Sequence, residues 1–174
     1  MIHGRFQPFH RGHLAYLLDA ASRCSRLFVG ITNPDRSPVP AEPRSPHRHL
    51  AEANPYTYLE RAAMIRAALS EAKVDLRRIA IVPFPLHDPS LWSRTVPPGM
   101  THVVRIFSPW EAEKAARLRA EGFAVIELAV PGPKEISGTQ VRKLIAEGGD
   151  WRSLVPAAVA VFIEAGAPVA TGEA

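Results

Sequence analysis

The feature that most constrains the fold is an alternation of two patterns along the chain. Five short runs rich in Val, Ile and Phe lie at residues 1–5, 26–31, 79–84, 102–107 and 123–130. Between them, segments 12–23, 58–72 and 109–121 carry helical patterning. Short runs that are apolar on both faces suit parallel strands covered on both sides. Two more helices are expected after the fifth strand, at 138–147 and 156–165. This βαβα order predicts an α/β fold, a doubly wound parallel sheet with right-handed crossovers and helices at the C-terminal end. Three helix starts have capping-box spacing: Thr57 with Glu60, Ser108 with Glu111, and Ser137 with Gln140. Pro109 would follow its cap at the first helical position, where proline is tolerated.

A chain of 174 residues fits one domain, here 1–166, with a flexible tail at 167–174. No apolar run reaches the roughly 18 residues of a membrane helix. No basic stretch followed by an apolar one opens the chain. Cys24 is the single cysteine, which rules out an internal disulfide and reads as a structural thiol. The expected compartment is therefore cytoplasmic, with no membrane partner. The formal net charge of +4 is spread along the chain. Without a basic run, zinc-finger spacing or an RNA-binding aromatic signature, it favours a small phosphorylated substrate over nucleic acid. A homo-oligomer remains open.

Two distant segments carry the chemistry. The first is Gly4-Arg5-Phe6-Gln7-Pro8-Phe9-His10-Arg11-Gly12-His13, where a strand ends, a loop turns and a helix opens. Ligands of doubly wound sheets bind at such strand ends. The free N–H groups of the new helix suit a phosphate. Gly4 and Gly12 would let backbone approach it closely. His10 and His13 are three apart and can face one side, each donating an N–H to a phosphate oxygen. Alone, such a pair reads more simply as two surface histidines, and no third residue has clear metal-ligand spacing. The second segment is Ile136-Ser137-Gly138-Thr139-Gln140-Val141-Arg142-Lys143. Ser137, Thr139 and the first-turn amides could cradle an anion, and Arg142 could fork onto a phosphate oxygen. Walker A and GxGxxG patterns are absent, which weighs against kinase and dehydrogenase readings.

With Asn54-Pro55-Tyr56-Thr57-Tyr58-Leu59-Glu60-Arg61 between them, these segments resemble the HxGH nucleotidyltransferase superfamily, and within it the nicotinamide-mononucleotide adenylyltransferase-like group. The resemblance runs over most of the chain in the right order. It implies a Rossmann-like sheet of order 3-2-1-4-5, and direct in-line transfer with Mg²⁺ bound mainly through the triphosphate. It also implies that His10 and His13 hold the triphosphate, with Arg142, Ser137 and Thr139 on its β/γ end. Gly4, Arg5, Phe6, Gln7, Gly12, Ile136 and Gly138 complete the nucleotide-binding set. An anionic acceptor needs no general base, only alignment with the triphosphate and stabilisation of the leaving pyrophosphate.

Two departures from the group bear on the substrates. Where a Thr/Asn-containing adenine motif is usual, the chain reads Arg105-Ile106-Phe107-Ser108-Pro109-Trp110, so Arg105 and Ser108 are assigned to the nucleotide. Residues 33–55 form a proline-rich loop with Arg36, Arg44, His47, Arg48 and His49. With Lys134, these cations suit a compact dianion, and Trp92 is a candidate acceptor-site aromatic. These features resemble relatives that cytidylylate small phosphonates. The expectation is NMP transfer from an NTP to a small phosphate or phosphonate, with CTP and a phosphonate favoured. ATP with nicotinamide mononucleotide is the rival, and a non-catalytic nucleotide-binding regulator is the alternative of another class.

Overall fold

A computed structural model describes residues 1–34, 50–130, 132 and 135–166. Segment 35–49 of the proline-rich loop and the tail at 167–174 lie outside the described residues. The described strands are β1 (Ile2–Gly4), β2 (Leu27–Thr32), β3 (Ile79–Phe84), β4 (Thr101–Ile106) and β5 (Ala124–Ala129). The helices are α1 (Arg11–Ser22), α2 (Tyr58–Glu71), α3 (Trp92–Thr95), α4 (Pro109–Ala120), α5 (Gly138–Glu147) and α6 (Ala157–Glu164). Each predicted element is present, its ends within two residues of expectation. The short α3 and single 3₁₀ turns such as Leu76–Arg78 are additional.

All strand pairs are parallel. β1 pairs with β2 and β2 with β3, while β4 pairs with β5. The two sheets meet along β1 and β4, where the Val103 N–H donates to Met1 O at 2.8 Å and the Met1 ammonium to Thr101 O at 2.6 Å. β1 has only three residues, too few to carry a full ladder on both edges. The sheet is therefore split between β1 and β4. The chain first runs from β1 out to β3 and then returns to start β4, so a crevice opens at the strand ends between β1 and β4.

The period of two along the strands sorts side chains onto two faces. Ile2, Val29, Ile31 and Val103 pack with Tyr16 and Leu17 of α1, Met64, Ile65 and Leu69 of α2, Val141 of α5 and Val159 of α6. Met1, Phe84 and Val104 pack with Trp92 of α3 and Leu118 of α4. The adjacent Val103 and Val104 thus belong to different cores, as a strand covered on both faces requires.

The caps follow their sequence signals unevenly. Thr57 and Glu60 form the full reciprocal box, with the Glu60 N–H donating to Thr57 Oγ1 and the Thr57 N–H to Glu60 Oε2. Ser137 accepts from the Gln140 N–H at 3.1 Å. Ser108 departs from the expected box. Its hydroxyl accepts from Trp110 N–H and donates to the Glu111 carboxylate, so the cap closes one residue early.

Candidate active site

The loop from β1 into α1 is held by its own aromatic residues. Phe6 is buried at a positive φ of 55°, a left-handed conformation that a bulky residue adopts only when its surroundings fix it. Its ring lies over Gly4, where a Cβ would meet Phe6 Cε1 at 3.0 Å. Gly12 is similarly tight, with a Cβ 3.2 Å from His10 Nδ1. At both positions an added side chain would have to displace a neighbouring ring slightly, besides hindering any approach to a phosphate.

His10 and His13 are not surface histidines. His10 is fully buried and is the N-cap of α1. Its Nδ1 accepts the His13 N–H at 3.3 Å, and His13 Nδ1 accepts the His10 N–H at 3.3 Å. The two imidazoles stack at 3.5 Å between centroids, and Phe6 meets His13 edge-on at 4.9 Å. This is a capping box built from two histidines, and it has a chemical consequence. An Nδ1 that accepts a backbone N–H carries no proton, so in each neutral ring the proton sits on Nε2. Both residues line the cavity at the strand ends, so the cap fixes the tautomer of each histidine there.

The second segment is locked onto the first. A Cβ on Gly138 would lie 2.6 Å from the backbone oxygen of Gln7, so only glycine lets the start of α5 reach this loop. Arg142, one turn on, donates to Gln7 O at 2.6 Å and to Thr139 Oγ1 at 3.2 Å. Both acceptors are neutral. Burial pushes the Arg142 pKa down, partly offset by Tyr56, but a guanidinium remains charged at neutral pH. The result is a half-buried cation held at the start of α5 against the loop that leads into α1.

These elements wall a cavity of about 630 Å³, ample for a nucleotide. Gly4, Arg5, Phe6, Gln7, His10, Gly12, His13, Arg105, Ile136, Gly138 and Arg142 all line it. Arg11 and Lys114 add positive charge, against Glu111 and Glu135. Arg105 also has neighbours of its own. Its guanidinium lies 5.0 Å from the Tyr16 ring centroid and 3.9 Å from an Asp19 oxygen.

Several residues sit differently from the sequence expectation. Trp92, a candidate acceptor residue, is 1% exposed in the second core, with its indole N–H donating to Pro85 O at 2.9 Å. It does not line the cavity, because α3 turns it inward beneath β3 and β4. Ser108 also lies off the cavity, occupied by the cap of α4. Ser137 and Thr139 flank it, their hydroxyls bonded to Gln140 N and to Arg142. The Gln7 side chain pairs with Tyr56 through Nε2–H to Tyr56 O at 2.8 Å and Tyr56 N–H to Oε1 at 3.0 Å. It braces the segment entering α2, and only the Gln7 carbonyl serves Arg142. Arg36, Arg44, His47, Arg48, His49 and Lys134 lie outside the described residues.

Three residues of the site region escaped the sequence reading. Arg61 is fully buried and donates to the carbonyls of Arg5 at 3.0 Å, Thr32 at 2.8 Å and Asn33 at 2.8 Å, tying together the ends of β1 and β2. Its place in the Asn54–Arg61 motif was the available signal. His3 on β1 and His102 on β4 are buried, with ring centroids 5.3 Å apart, and neither ring nitrogen of either has a hydrogen-bond partner among the described residues. Burial holds both far toward the neutral form, aided by the nearby Lys114 and N-terminal ammonium. His3 falls well below the usual histidine range and His102 to about 4. A buried polar group without a partner costs about 1–3 kcal/mol. His3 lines the cavity and His102 does not.

Residues 1–144 match the family model described as cytidylyltransferase-like. The chain belongs to the cytidylyltransferase-like family. It is a nucleotidyltransferase. Phosphonoformate cytidylyltransferase of Streptomyces viridochromogenes is 44% identical, over 94% of this chain and 89% of the relative. Nicotinamide-nucleotide adenylyltransferase of Methanolobus tindarius is 30% identical, over 92% of this chain and 84% of the relative. Among solved structures, a bifunctional NMN adenylyltransferase/ADP ribose pyrophosphatase from Francisella tularensis, complexed with AMP and a manganese ion, superposes with a TM-score of 0.66 at 17% identity. That match covers 94% of this chain but 47% of the other, so the chain spans about half of that protein. It establishes the Rossmann-like α/β fold. No helix among the described residues is long and apolar enough to cross a membrane.

Proposed function

We propose that the protein transfers the cytidylyl group of CTP to a compact phosphonate acid, releasing pyrophosphate, in natural-product biosynthesis. The observation that carries the reaction type is the joining of the two anion-binding helix starts, through Gly138 against Gln7 and Arg142 on the Gln7 carbonyl. The choice of CTP and a phosphonate is supported by the 44% identity to the phosphonoformate enzyme.

The chemistry follows from charge. An acceptor oxygen, already ionised near neutral pH, attacks the α-phosphorus. The bond from that phosphorus to the bridging oxygen breaks, and the electron pair leaves with pyrophosphate. No proton needs removal. His10 and His13 offer Nε2–H groups, the N-termini of α1 and α5 offer amides, and Arg142 offers its guanidinium as charge develops on the leaving group. Such donors are preorganised here because the capping box and the Gln7 contact hold them before the substrate arrives. Mg²⁺ would be bound through triphosphate oxygens and would neutralise part of their charge. The charged residues lining this cavity fit that arrangement: Arg5, Arg11, Arg105, Lys114 and Arg142 suit the phosphates, and Glu111 and Glu135 are too few to cage the ion by themselves.

The test is a competition at equal concentrations of CTP and ATP, with phosphonoformate or nicotinamide mononucleotide as acceptor, reading pyrophosphate and comparing kcat/KM. CTP with the phosphonate should lead by at least about tenfold, some 1.4 kcal/mol in transition-state binding. A lead for ATP with nicotinamide mononucleotide would replace this substrate pair and keep nucleotidyl transfer. Absence of pyrophosphate with every pair would favour a nucleotide-binding regulator.

A further inference from the structure

The α4 side of the cavity has a feature that triphosphate binding does not use. His3 lies on the opposite face of β1 from the core residue Ile2, 4% exposed, and its ring packs against Phe84 at 5.1 Å. It lines the cavity with Leu86, Trp110 and Lys114. Lys114 stands 5.0 Å from the Trp110 ring centroid and is close enough to His3 to act on its charge. Both His3 ring nitrogens are buried, and neither has a hydrogen-bond partner among the described residues. Phe or Leu would fill the same apolar position between Phe84 and β1 without that cost. A polar ring kept at the wall of a cavity has a use if the cavity's occupant completes its hydrogen bonds.

We propose that His3 is an acceptor-binding residue, donating a ring N–H to an acid group of the acceptor on the α4 side of the cavity, where Lys114 supplies the opposite charge. The inference rests on the nucleotidyl-transfer reading and assigns one of its two substrates a place. A neutral imidazole donates without adding net charge. With one lysine beside it, the subsite matches a single carboxylate or phosphonate group better than a polyphosphate, which the Arg142 side already serves. The nucleobase is the weaker candidate, being uncharged where Lys114 favours an anion. Glu111 also lines the cavity and keeps its negative charge, its carboxylate held at the start of α4 by the Ser108 hydroxyl, so a group bound here must sit on the Lys114 side of it. His3 would thereby favour acids small enough to reach the strand floor.

The experiment compares wild type with His3→Phe and His102→Phe, measuring KM for phosphonoformate, KM for CTP and kcat. His102 is the control: it is also buried and also without a hydrogen-bond partner among the described residues, but it does not line the cavity. His3→Phe should raise the acceptor KM about tenfold or more, the loss of one hydrogen bond to a charged group, with the CTP KM held within about twofold. His102→Phe should leave the acceptor KM unchanged. His3→Gln, which restores a donor, should recover part of the affinity and serves if His3→Phe does not fold. Equal rises in both phenylalanine variants, an unchanged acceptor KM in His3→Phe, or a rise in the CTP KM would each overturn the assignment. Should the wild type turn over no CTP–phosphonate pair, the function reading fails by itself. Calorimetric binding of phosphonoformate then decides about His3, and equal Kd for wild type and His3→Phe refutes it.

Discussion

His10 has two duties that substitution can separate. Its Nδ1 caps α1, accepting the His13 N–H at 3.3 Å, while its Nε2 carries the ring proton that the proposed function directs to a phosphate. Asparagine is a good N-cap but cannot reach with a second donor as an imidazole does. His10→Asn should therefore keep the cap and lose the catalytic contact. Removal of one preorganised donor to developing negative charge costs about 2.7–4 kcal/mol, so kcat should fall by roughly 10²–10³. His10→Ala should lose the same factor in kcat and, in addition, the cap. A cap is worth about 0.5–2 kcal/mol, and the 3.3 Å length places this one toward the lower end. The void left by a fully buried ring adds to the loss. His10→Ala should then melt at least about 2–4 °C below His10→Asn, the shift roughly 1 kcal/mol produces in a chain of this size. The assays are pyrophosphate release at saturating CTP, acceptor and Mg²⁺, and thermal unfolding without ligand. A His10→Asn enzyme within threefold of wild-type kcat would refute the donor role. Equal stability of the two variants would refute the capping role.

Other outcomes follow from the same geometry. Arg142→Lys should fail to restore the pyrophosphate release lost in Arg142→Ala, because one ammonium cannot reproduce the fork that reaches Gln7 O and Thr139 together; equal activity of Arg142→Lys and wild type would remove Arg142 from the site. Gly138→Ala should lower both kcat and stability, the latter by about 1–3 kcal/mol, since its methyl would sit 2.6 Å from a backbone oxygen that cannot retreat; unchanged chemical denaturation would contradict the close approach. The histidine pair predicts an acid-labile fold. His102 titrates near 6.5 when unfolded and near 4 when folded, so the unfolded chain binds more protons between those values. Stability from this residue is complete above about pH 6.5 and is lost as pH falls toward 4, by about 3 kcal/mol. Urea unfolding from pH 7 to 4.5 should show this loss, and His102→Phe should flatten it; equal pH slopes in the two proteins would refute the assignment.

The sequence by itself determined the elements and their layering. Alternating apolar strands such as residues 102–106 can satisfy both faces only inside a two-sided sheet, and Val103 and Val104 do go to opposite cores. Helix starts at Thr57, Ser137 and Pro109 were legible because caps and proline act within one turn of chain. The two phosphate-facing segments were legible as motifs, each local in sequence. Their relation was not. That Gly138 must be glycine because of Gln7, and that Arg142 rests on the Gln7 carbonyl, involves atoms 131 and 135 residues apart and is decided by how α5 docks. For the same reason Trp92 read as an acceptor-site aromatic, although a 3₁₀ turn and α3 rotate it into the core. His3 drew no notice, since a histidine inside a strand gives no local signal. Only the tertiary structure sets it on the cavity wall with its nitrogens unpartnered among the described residues, because neighbours brought together by the fold, and not those beside it in the chain, decide what a buried polar group can bond.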